Sequence, residues 1–217
     1  MMISIPGPRA SLTTNRDQMK FSTAENELMQ LDSDISVLIK RNGPIDHTPR
    51  EDYFTALSSG IISQQISVKA AAKIFERFKD ITKLDPMRAV ALNDDDTKTI
   101  GLSGQKSKYI RDLAEHFVRD SMTFNHLDTL PDDEVIVELT RVKGIGVWTA
   151  QMFLMFTLVR PDVFAPDDRG LQLAIQKMYG LSAVPARSEL EQIAAQWSPY
   201  RTTASWHLWR SLDNEPI

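Results

Sequence analysis

Residues 139–150 of this chain read LTRVKGIGVWTA, and this stretch decides how the chain folds. Before it, residues 131–134 (PDDE) place a proline and three acids at a helix start, where unpaired backbone N–H groups and the helix dipole favour them. After it, residues 147–158 follow a helical pattern. Gly144 and Gly146 lie between the two helices, where glycine permits a positive φ and a close backbone approach. The stretch therefore predicts two helices joined by a tight glycine hairpin.

The rest of the chain also follows helical spacing. Apolar residues from Glu25 to Ile39 recur at three- and four-residue steps and predict one amphipathic helix. Residues 52–78 predict a helix–turn–helix, because Ser63-Gln64-Gln65 interrupts the apolar pattern. No segment keeps the period-two alternation of a strand, so the predicted fold class is all-α. Further helices fit residues 106–118, 168–179, 188–196 and 200–212.

Composition narrows the function classes. The chain has 217 residues, 42% hydrophobic and 25% charged, which is typical of a soluble globular protein. It has no cysteine, which excludes disulfides, thiol nucleophiles and thiolate metal sites. The net charge of −4 does not by itself indicate a nucleic-acid binder. No apolar run approaches a membrane span, and the segment Met1–Pro8 has no secretory h-region, so an intracellular protein is expected. The four histidines (His47, His116, His126 and His207) fall at no metal-ligand spacing.

The glycine hairpin has two interpretations at this point. Its N–H groups and the following helix N-terminus are suited to face a phosphate, with Lys143 adding a cation and Thr149 a hydroxyl. In the other interpretation, the glycines only solve the steric problem of a tight turn between two helices. The residues of the hairpin alone leave both open.

Beyond the hairpin, several ordered motifs carry a resemblance to a known family. Residues 139–150 are followed by PDVFAPDD at 161–168, and the chain also contains IISQQISVKAA, GLSGQK and WSPYR at residues 61–71, 101–106 and 197–201. Together they resemble the helix–hairpin–helix (HhH-GPD) DNA glycosylases, in particular the 3-methyladenine DNA glycosylase II (AlkA) branch. The similarity covers roughly residues 25–210.

The resemblance implies two helical lobes with a DNA cleft between them. One lobe would span residues 46–159 and carry the hairpin, and the other would combine residues 20–45 with 160–217. The implied function is a monofunctional DNA glycosylase of base excision repair. It would flip out alkylated bases of the 3-methyladenine and 7-methylguanine type and hydrolyse the N-glycosidic bond, leaving an abasic site. The alternatives are a catalytically silent DNA-damage-binding module and a glycosylase for other damaged or mismatched bases.

The resemblance assigns the catalytic carboxylate to Asp168. A fixed carboxylate stabilises the positive charge that builds on the sugar as the base departs. On spacing alone, an acid after Pro166 is more typical of a helix N-cap, and we assign that role to Asp167. In relatives that also cleave the DNA backbone, a lysine occupies the position of Trp148. Tryptophan forms no Schiff base, so water is the implied acceptor and no AP lyase activity is expected.

The resemblance also implies contacts to the base and to DNA. Trp148, Met152 and Trp197 are candidates for the base pocket, since aromatic faces and a polarisable thioether attract a cationic base. Each of the three also fits a core position. The DNA-binding candidates fall in two groups. The first is the loop Ser63, Gln64 and Gln65, in which Gln65 aligns with the wedge, the side chain that the family inserts into the gap left by the flipped nucleotide. The second is the hairpin, with Lys143, Gly144, Gly146 and Thr149.

The remaining implications concern ions, partners and location. A monovalent cation, Na⁺ or K⁺, is expected on the backbone carbonyls of Thr140, Val142 and Ile145 when DNA is bound, and no cofactor is expected to be required. The expected partner is double-stranded DNA containing alkylated bases, bound by a monomer with no membrane association. The expected location is the cytoplasm, at the nucleoid, in a bacterium and the nucleus in a eukaryote.

Overall fold

The computed structural model describes residues 21–46, 48–50 and 52–213. His47 and the segment Met1–Pro8 lie outside these residues. Every regular element within the described ranges is helical, as predicted. Besides a short 3₁₀-helix at Leu127–Thr129, the α-helices in chain order are α1 (Thr23–Leu31), α2 (Ser33–Asn42), α3 (Tyr53–Ser63), α4 (Val68–Thr82), α5 (Pro86–Val90), α6 (Asp94–Ile100), α7 (Gly104–Arg119), α8 (Ser121–Phe124), α9 (Asp132–Thr140), α10 (Val147–Phe156), α11 (Arg169–Met178), α12 (Arg187–Ala195) and α13 (Arg201–Asp213).

The chain divides into two compact units. The first is Pro49–Leu158, which contains α3 to α10. The second consists of the described parts of Pro8–Thr48 and Val159–Ile217, and contains α1, α2 and α11 to α13. The boundaries expected from the resemblance, 46–159 for the lobe with the hairpin and 20–45 with 160–217 for the other, stay a prediction. Each unit has its own buried apolar core.

The core of the first unit positions the hairpin. Phe54 of α3, Phe117 of α7 and Phe124 of α8 are buried, and their rings meet edge to face at centroid distances of 5.3 and 5.2 Å. Helix α10 packs on α9 and on α3, while α7 packs on α3 and α5. The hairpin is therefore attached through α9 and α10 to the helices that pack around α3 and α7.

The second unit differs from the sequence prediction at its first helix. One helix was expected from Glu25 to Ile39, but Asp32 divides it into α1 and α2. The backbone of Asp32 is extended (φ −142°, ψ 119°), and its carboxylate caps α2 by accepting N–H groups from Asp34 and Ile35. Its other oxygen accepts the Tyr179 hydroxyl and the indole N–H of Trp197, at 2.9 Å for the latter. These long-range bonds stabilise a break that the apolar periodicity hides.

A second buried polar cluster fixes α13. Glu25 and His207 are 1% and 0% exposed, with His207 Nε2 3.1 Å from a Glu25 oxygen. The same carboxylate accepts the backbone N–H groups of Ser22 and Ile45, and Asn42 donates to the backbone carbonyl of His207. Burial alone would raise the pKa of Glu25, but the hydrogen bonds from His207, Ser22 and Ile45 hold that pKa below its usual value. Helix α13 is thus attached to α1 and α2 by buried hydrogen bonds.

Candidate functional site

The hairpin between α9 and α10 depends on one of its glycines more than on the other. Gly144 has φ +86°, and a Cβ at this position would lie 2.2 Å from a ring carbon of Tyr109 on α7. Gly146 has φ −98° and forms the N-cap of α10, and a Cβ there would meet no heavy atom within 4 Å. Position 144 therefore requires glycine for the turn itself. Position 146 leaves the N-terminus of α10 open at the surface, as an approaching phosphate would need.

The loop between α3 and α4 is attached to this hairpin. The side-chain amide of Gln64 donates to the carbonyl of Gly144 at 3.0 Å. Lys106 of α7 donates to the carbonyls of Ile62 and Gln64, at 2.7 and 2.8 Å, and burial lowers the pKa of its ammonium group. Gln64 and Lys106 thus stabilise the loop and the hairpin together, which the sequence analysis did not foresee for either side chain.

Gln65 differs from its neighbour Gln64. Its side chain is exposed, and its backbone lies in the left-handed region with φ +58°, which is uncommon for a residue other than glycine. An exposed side chain on a loop whose backbone Lys106 holds at Ile62 and Gln64 is suited to enter DNA. The wedge role of Gln65 stays a prediction, as does a DNA contact of Ser63, whose hydroxyl donates to the carbonyl of Gly60.

Lys143 is held by an acid of the same unit. Its ammonium group lies 2.7 Å from Asp112 Oδ1, and its backbone N–H donates to Asp112 Oδ2 at 2.8 Å. The hydrogen bond and charge of Asp112 raise the pKa of Lys143. Any contact of this ammonium with DNA therefore starts from an ion pair with Asp112.

Two of the three candidates for the base pocket line one cavity of the first unit. Trp148 and Met152 lie in its wall, and the cavity measures about 310 Å³. This volume is near the lower end of the range for small-ligand pockets. The remaining walls are largely apolar and aromatic, and Thr149 also contributes to them. Other lining residues include Gly60, Phe75, Phe153 and Phe156.

Trp197 does not lie in this cavity. It is fully buried in the second unit, where its indole N–H donates to Asp32 and its ring packs against Phe164 at a centroid distance of 6.3 Å. A side chain with no exposed surface offers no face for stacking on a base. We therefore leave Trp197 out of the base pocket and assign it to the core, which is the other position that its sequence fitted.

Asp168 lies at the start of α11 in the second unit. Its Oδ1 accepts the backbone N–H of Leu171 at 2.8 Å, so Asp168 is the N-cap of the helix. The assignment of the cap to Asp167 is wrong, since that side chain is exposed and pairs with Arg187 at 2.8 Å. The same Oδ1 of Asp168 accepts the indole N–H of Trp209 at 2.8 Å. One carboxylate is therefore oriented by its own helix and by α13.

Trp209 is a further site residue that the sequence patterns did not reveal. It lies 41 residues after Asp168, and a Cβ added to Gly170 would be 3.0 Å from two atoms of its ring. The small residue two positions after the carboxylate therefore leaves room for the indole. The cluster of tryptophans near the C-terminus was visible in the sequence, but no local pattern distinguishes Trp209 from the buried Trp206.

Within residues 21–46, 48–50 and 52–213, no group of three or more His, Asp or Glu side chains is placed to hold a metal ion. Among the hairpin carbonyls expected to bind a cation, that of Val142 accepts the N–H of Ile145 at 3.1 Å. None of the helices described has the length and apolar character of a membrane span.

Comparison with known proteins identifies the family. Residues 58–199 match the HhH-GPD superfamily of base excision DNA repair proteins, and the chain belongs to this family. It is 30% identical to DNA-3-methyladenine glycosylase 1 of Schizosaccharomyces pombe, over 87% of this chain and 86% of that protein.

Two solved structures are similar to this chain. The first is the crystal structure of a DNA-3-methyladenine glycosidase from Bacillus halodurans, with a TM-score of 0.80 and 32% identity, covering 89% of this chain and 90% of that one. The second is 3-methyladenine DNA glycosylase Mag1 of S. pombe in complex with abasic DNA, with a TM-score of 0.76 and 28% identity, covering 88% of this chain and 97% of that one. The fold and the glycosylase class of the relatives agree with the resemblance.

Proposed function

We propose that this chain is a monofunctional DNA glycosylase that removes alkylated bases from double-stranded DNA in base excision repair. The observation that carries the proposal is the carboxylate of Asp168, which is fixed by Leu171 and Trp209 at the positive end of a ten-residue helix. The relatives of this chain are named DNA-3-methyladenine glycosylases or glycosidases, and these names support alkylated bases as the substrate class.

The proposed reaction is hydrolysis of the N-glycosidic bond. The base leaves with the electron pair of that bond, and the sugar develops positive charge that the Asp168 carboxylate stabilises. A water oxygen then bonds to the sugar carbon and loses one proton, which leaves an abasic site and an intact strand. Bases alkylated at N3 or N7 carry a positive charge, and accepting the electron pair makes them neutral. The reaction thus needs no dedicated acid to protonate the leaving base.

The two units take different proposed roles. In the first unit, the N–H groups of Gly144 and Gly146 bind the DNA backbone, and Gln65 fills the gap left by the flipped nucleotide. Trp148 stacks on the flipped base, and the thioether of Met152 lines the pocket beside it. The proposed cation on the carbonyls of Thr140, Val142 and Ile145 would bridge the hairpin to a phosphate. In the second unit, Asp168 acts on the sugar.

A duplex with a single 7-methylguanine tests the proposal. We expect the protein to convert the modified position into an alkali-labile site, with the strand intact until alkali is added. The same modified duplex incubated without protein is the control, because hot alkali also acts on 7-methylguanine itself. Strand cleavage before alkali would contradict a monofunctional enzyme. Absence of alkali-labile sites while the protein binds the duplex would favour the silent DNA-binding module.

A further inference from the structure

Asp112 of α7 is a negatively charged side chain that contacts the turn proposed to bind a phosphate, which is also negatively charged. Its side chain is 12% exposed, and each of its oxygens bonds to Lys143. Oδ2 accepts the backbone N–H of Lys143 at 2.8 Å, and Oδ1 accepts the ammonium group at 2.7 Å. Burial would raise the pKa of Asp112, but the bonds from Lys143 hold that pKa below its usual value. Asp112 is therefore ionised at neutral pH.

Helix α7 contacts the hairpin at two successive turns. Tyr109, three residues before Asp112, lies so close to Gly144 that any side chain there would overlap its ring. Asp112 then fixes the backbone of Lys143, the residue just before Gly144. From the loop after α3, Gln64 binds the carbonyl of Gly144. The residues that lead into the proposed phosphate-binding N–H groups are thus held on more than one side.

Charge alone gives Asp112 the wrong sign for this position, since a carboxylate near a phosphate repels it. The hydrogen bond from the backbone N–H of Lys143 explains why an acidic side chain is useful at position 112. It satisfies an N–H group in a turn and fixes the direction of the N–H groups that follow. The ammonium group of Lys143 offsets the negative charge of Asp112.

We propose that Asp112 is a positioning residue for DNA binding, and that it orders the hairpin through the backbone N–H of Lys143. The inference rests on the proposed function and extends it to a residue that touches no DNA. A preorganised turn loses less conformational entropy when it binds. DNA affinity therefore depends on an acidic side chain, although DNA repels its charge.

Two alanine variants separate position from charge. In the full chain, we expect Asp112→Ala to raise the Kd for duplex DNA about tenfold. This is the effect expected from losing a hydrogen bond to a charged group. Glu115→Ala is the matched control, since Glu115 lies on the same helix, pairs with Arg119 at 3.2 Å and also influences the charge of Lys143. We expect this control to leave DNA affinity unchanged or to raise it, because it removes a negative charge and the ion pair with Arg119 but no hydrogen bond to the hairpin.

Further readouts distinguish positioning from general destabilisation. Asp112→Asn keeps an oxygen that accepts the backbone N–H, and we expect it to restore most of the affinity lost in Asp112→Ala. In the base-release assay, we expect the KM of Asp112→Ala to rise while its kcat stays within about twofold of wild type. The reason is that a contact that orders the hairpin acts on binding and not on the chemical step. Equal or tighter DNA binding by Asp112→Ala would overturn the inference, as would equal losses in the two Asp112 variants. If the wild type binds DNA but releases no base, the proposed function fails while the affinity comparison still decides the role of Asp112.

Discussion

In the first unit, the groups assigned to DNA are backbone N–H groups, the amide side chain of Gln65 and apolar faces, whereas in the second unit the group assigned to chemistry is one carboxylate. The first set depends on the shape of a turn, which Tyr109, Gln64 and Asp112 maintain. The carboxylate of Asp168 depends on hydrogen bonds from Leu171 and Trp209. Substitutions of these residues in the first unit should therefore mainly weaken DNA affinity and raise KM. Substitutions that affect Asp168 in the second unit should mainly lower kcat.

The largest effect is expected for Asp168→Asn. Asparagine still caps α11, so the fold should survive, but it lacks the charge that stabilises the sugar cation. We expect the rate of base release to fall about a thousandfold, with DNA affinity within about twofold of wild type. Asp167→Asn is the matched control, because this exposed neighbour pairs only at the surface with Arg187, and it should retain its rate. Normal release by Asp168→Asn would mean that another acid is catalytic.

A loss of stability is expected for Glu25→Ala in the second unit. The substitution leaves the buried ring of His207 and the partly buried N–H groups of Ser22 and Ile45 without this acceptor, at a cost of about 3 kcal/mol in the free energy of unfolding. Denaturant unfolding of the variant measures it. Glu191→Ala removes an exposed ion pair with Arg187, and this control should leave the free energy of unfolding nearly unchanged.

The stabilisation that Glu25 contributes to the free energy of unfolding should decrease as the pH is lowered. Since folding lowers the pKa of Glu25, its ionisation contributes stability above the unfolded-state pKa, and this contribution is lost as pH falls through the folded-state pKa. The stability difference between wild type and Glu25→Ala should therefore narrow below pH 4.5, the ordinary pKa of a glutamate. A difference that widens on acidification would contradict the stabilising role of the ionised carboxylate.

A smaller loss of stability is expected for Gly144→Ala in the first unit. The positive φ and the contact with Tyr109 together should cost about 2 kcal/mol in the free energy of unfolding. The displaced turn should also weaken DNA binding with little change in kcat. Gly146→Ala separates the two effects, because its Cβ has open space, and its stability should change by less than about 1 kcal/mol. Equal stability of the two variants would show that the hairpin tolerates a side chain at 144.

The smallest effect is expected for Trp209→Phe. Phenylalanine keeps an aromatic ring but removes the N–H that orients Asp168, so kcat should fall about tenfold with KM nearly unchanged. Trp206→Phe changes another indole of the same helix and should leave kcat within about twofold. If both variants lose kcat equally, packing of α13 and not the hydrogen bond would explain the effect.

The comparison of the two units also shows what the sequence could predict. The hairpin was predictable because glycines and helix starts are local signals, and α10 begins at Val147 as expected. The break at Asp32 was not, since the apolar period continues through it and the bonds to Tyr179 and Trp197 span 147 and 165 residues. Assigning the N-cap to Asp167 failed because proline followed by two acids leaves the cap ambiguous by one position.

Side chains that depend on distant partners were the least predictable part of the site. Trp197 and Trp209 look alike in the sequence, yet the first is buried against Asp32 and the second bonds to Asp168. The polar Ser63-Gln64-Gln65 turn was recognised as a break between helices, but the bond from Gln64 to Gly144 joins residues 80 positions apart. Periodicity and spacing carry no information about such pairs.

The most direct test of the central claim is chromatographic identification of free bases after the wild-type protein acts on methylated duplex DNA. We predict that 3-methyladenine and 7-methylguanine are released in amounts equal to the abasic sites formed. Protein that binds the methylated duplex without releasing any free base would contradict the account.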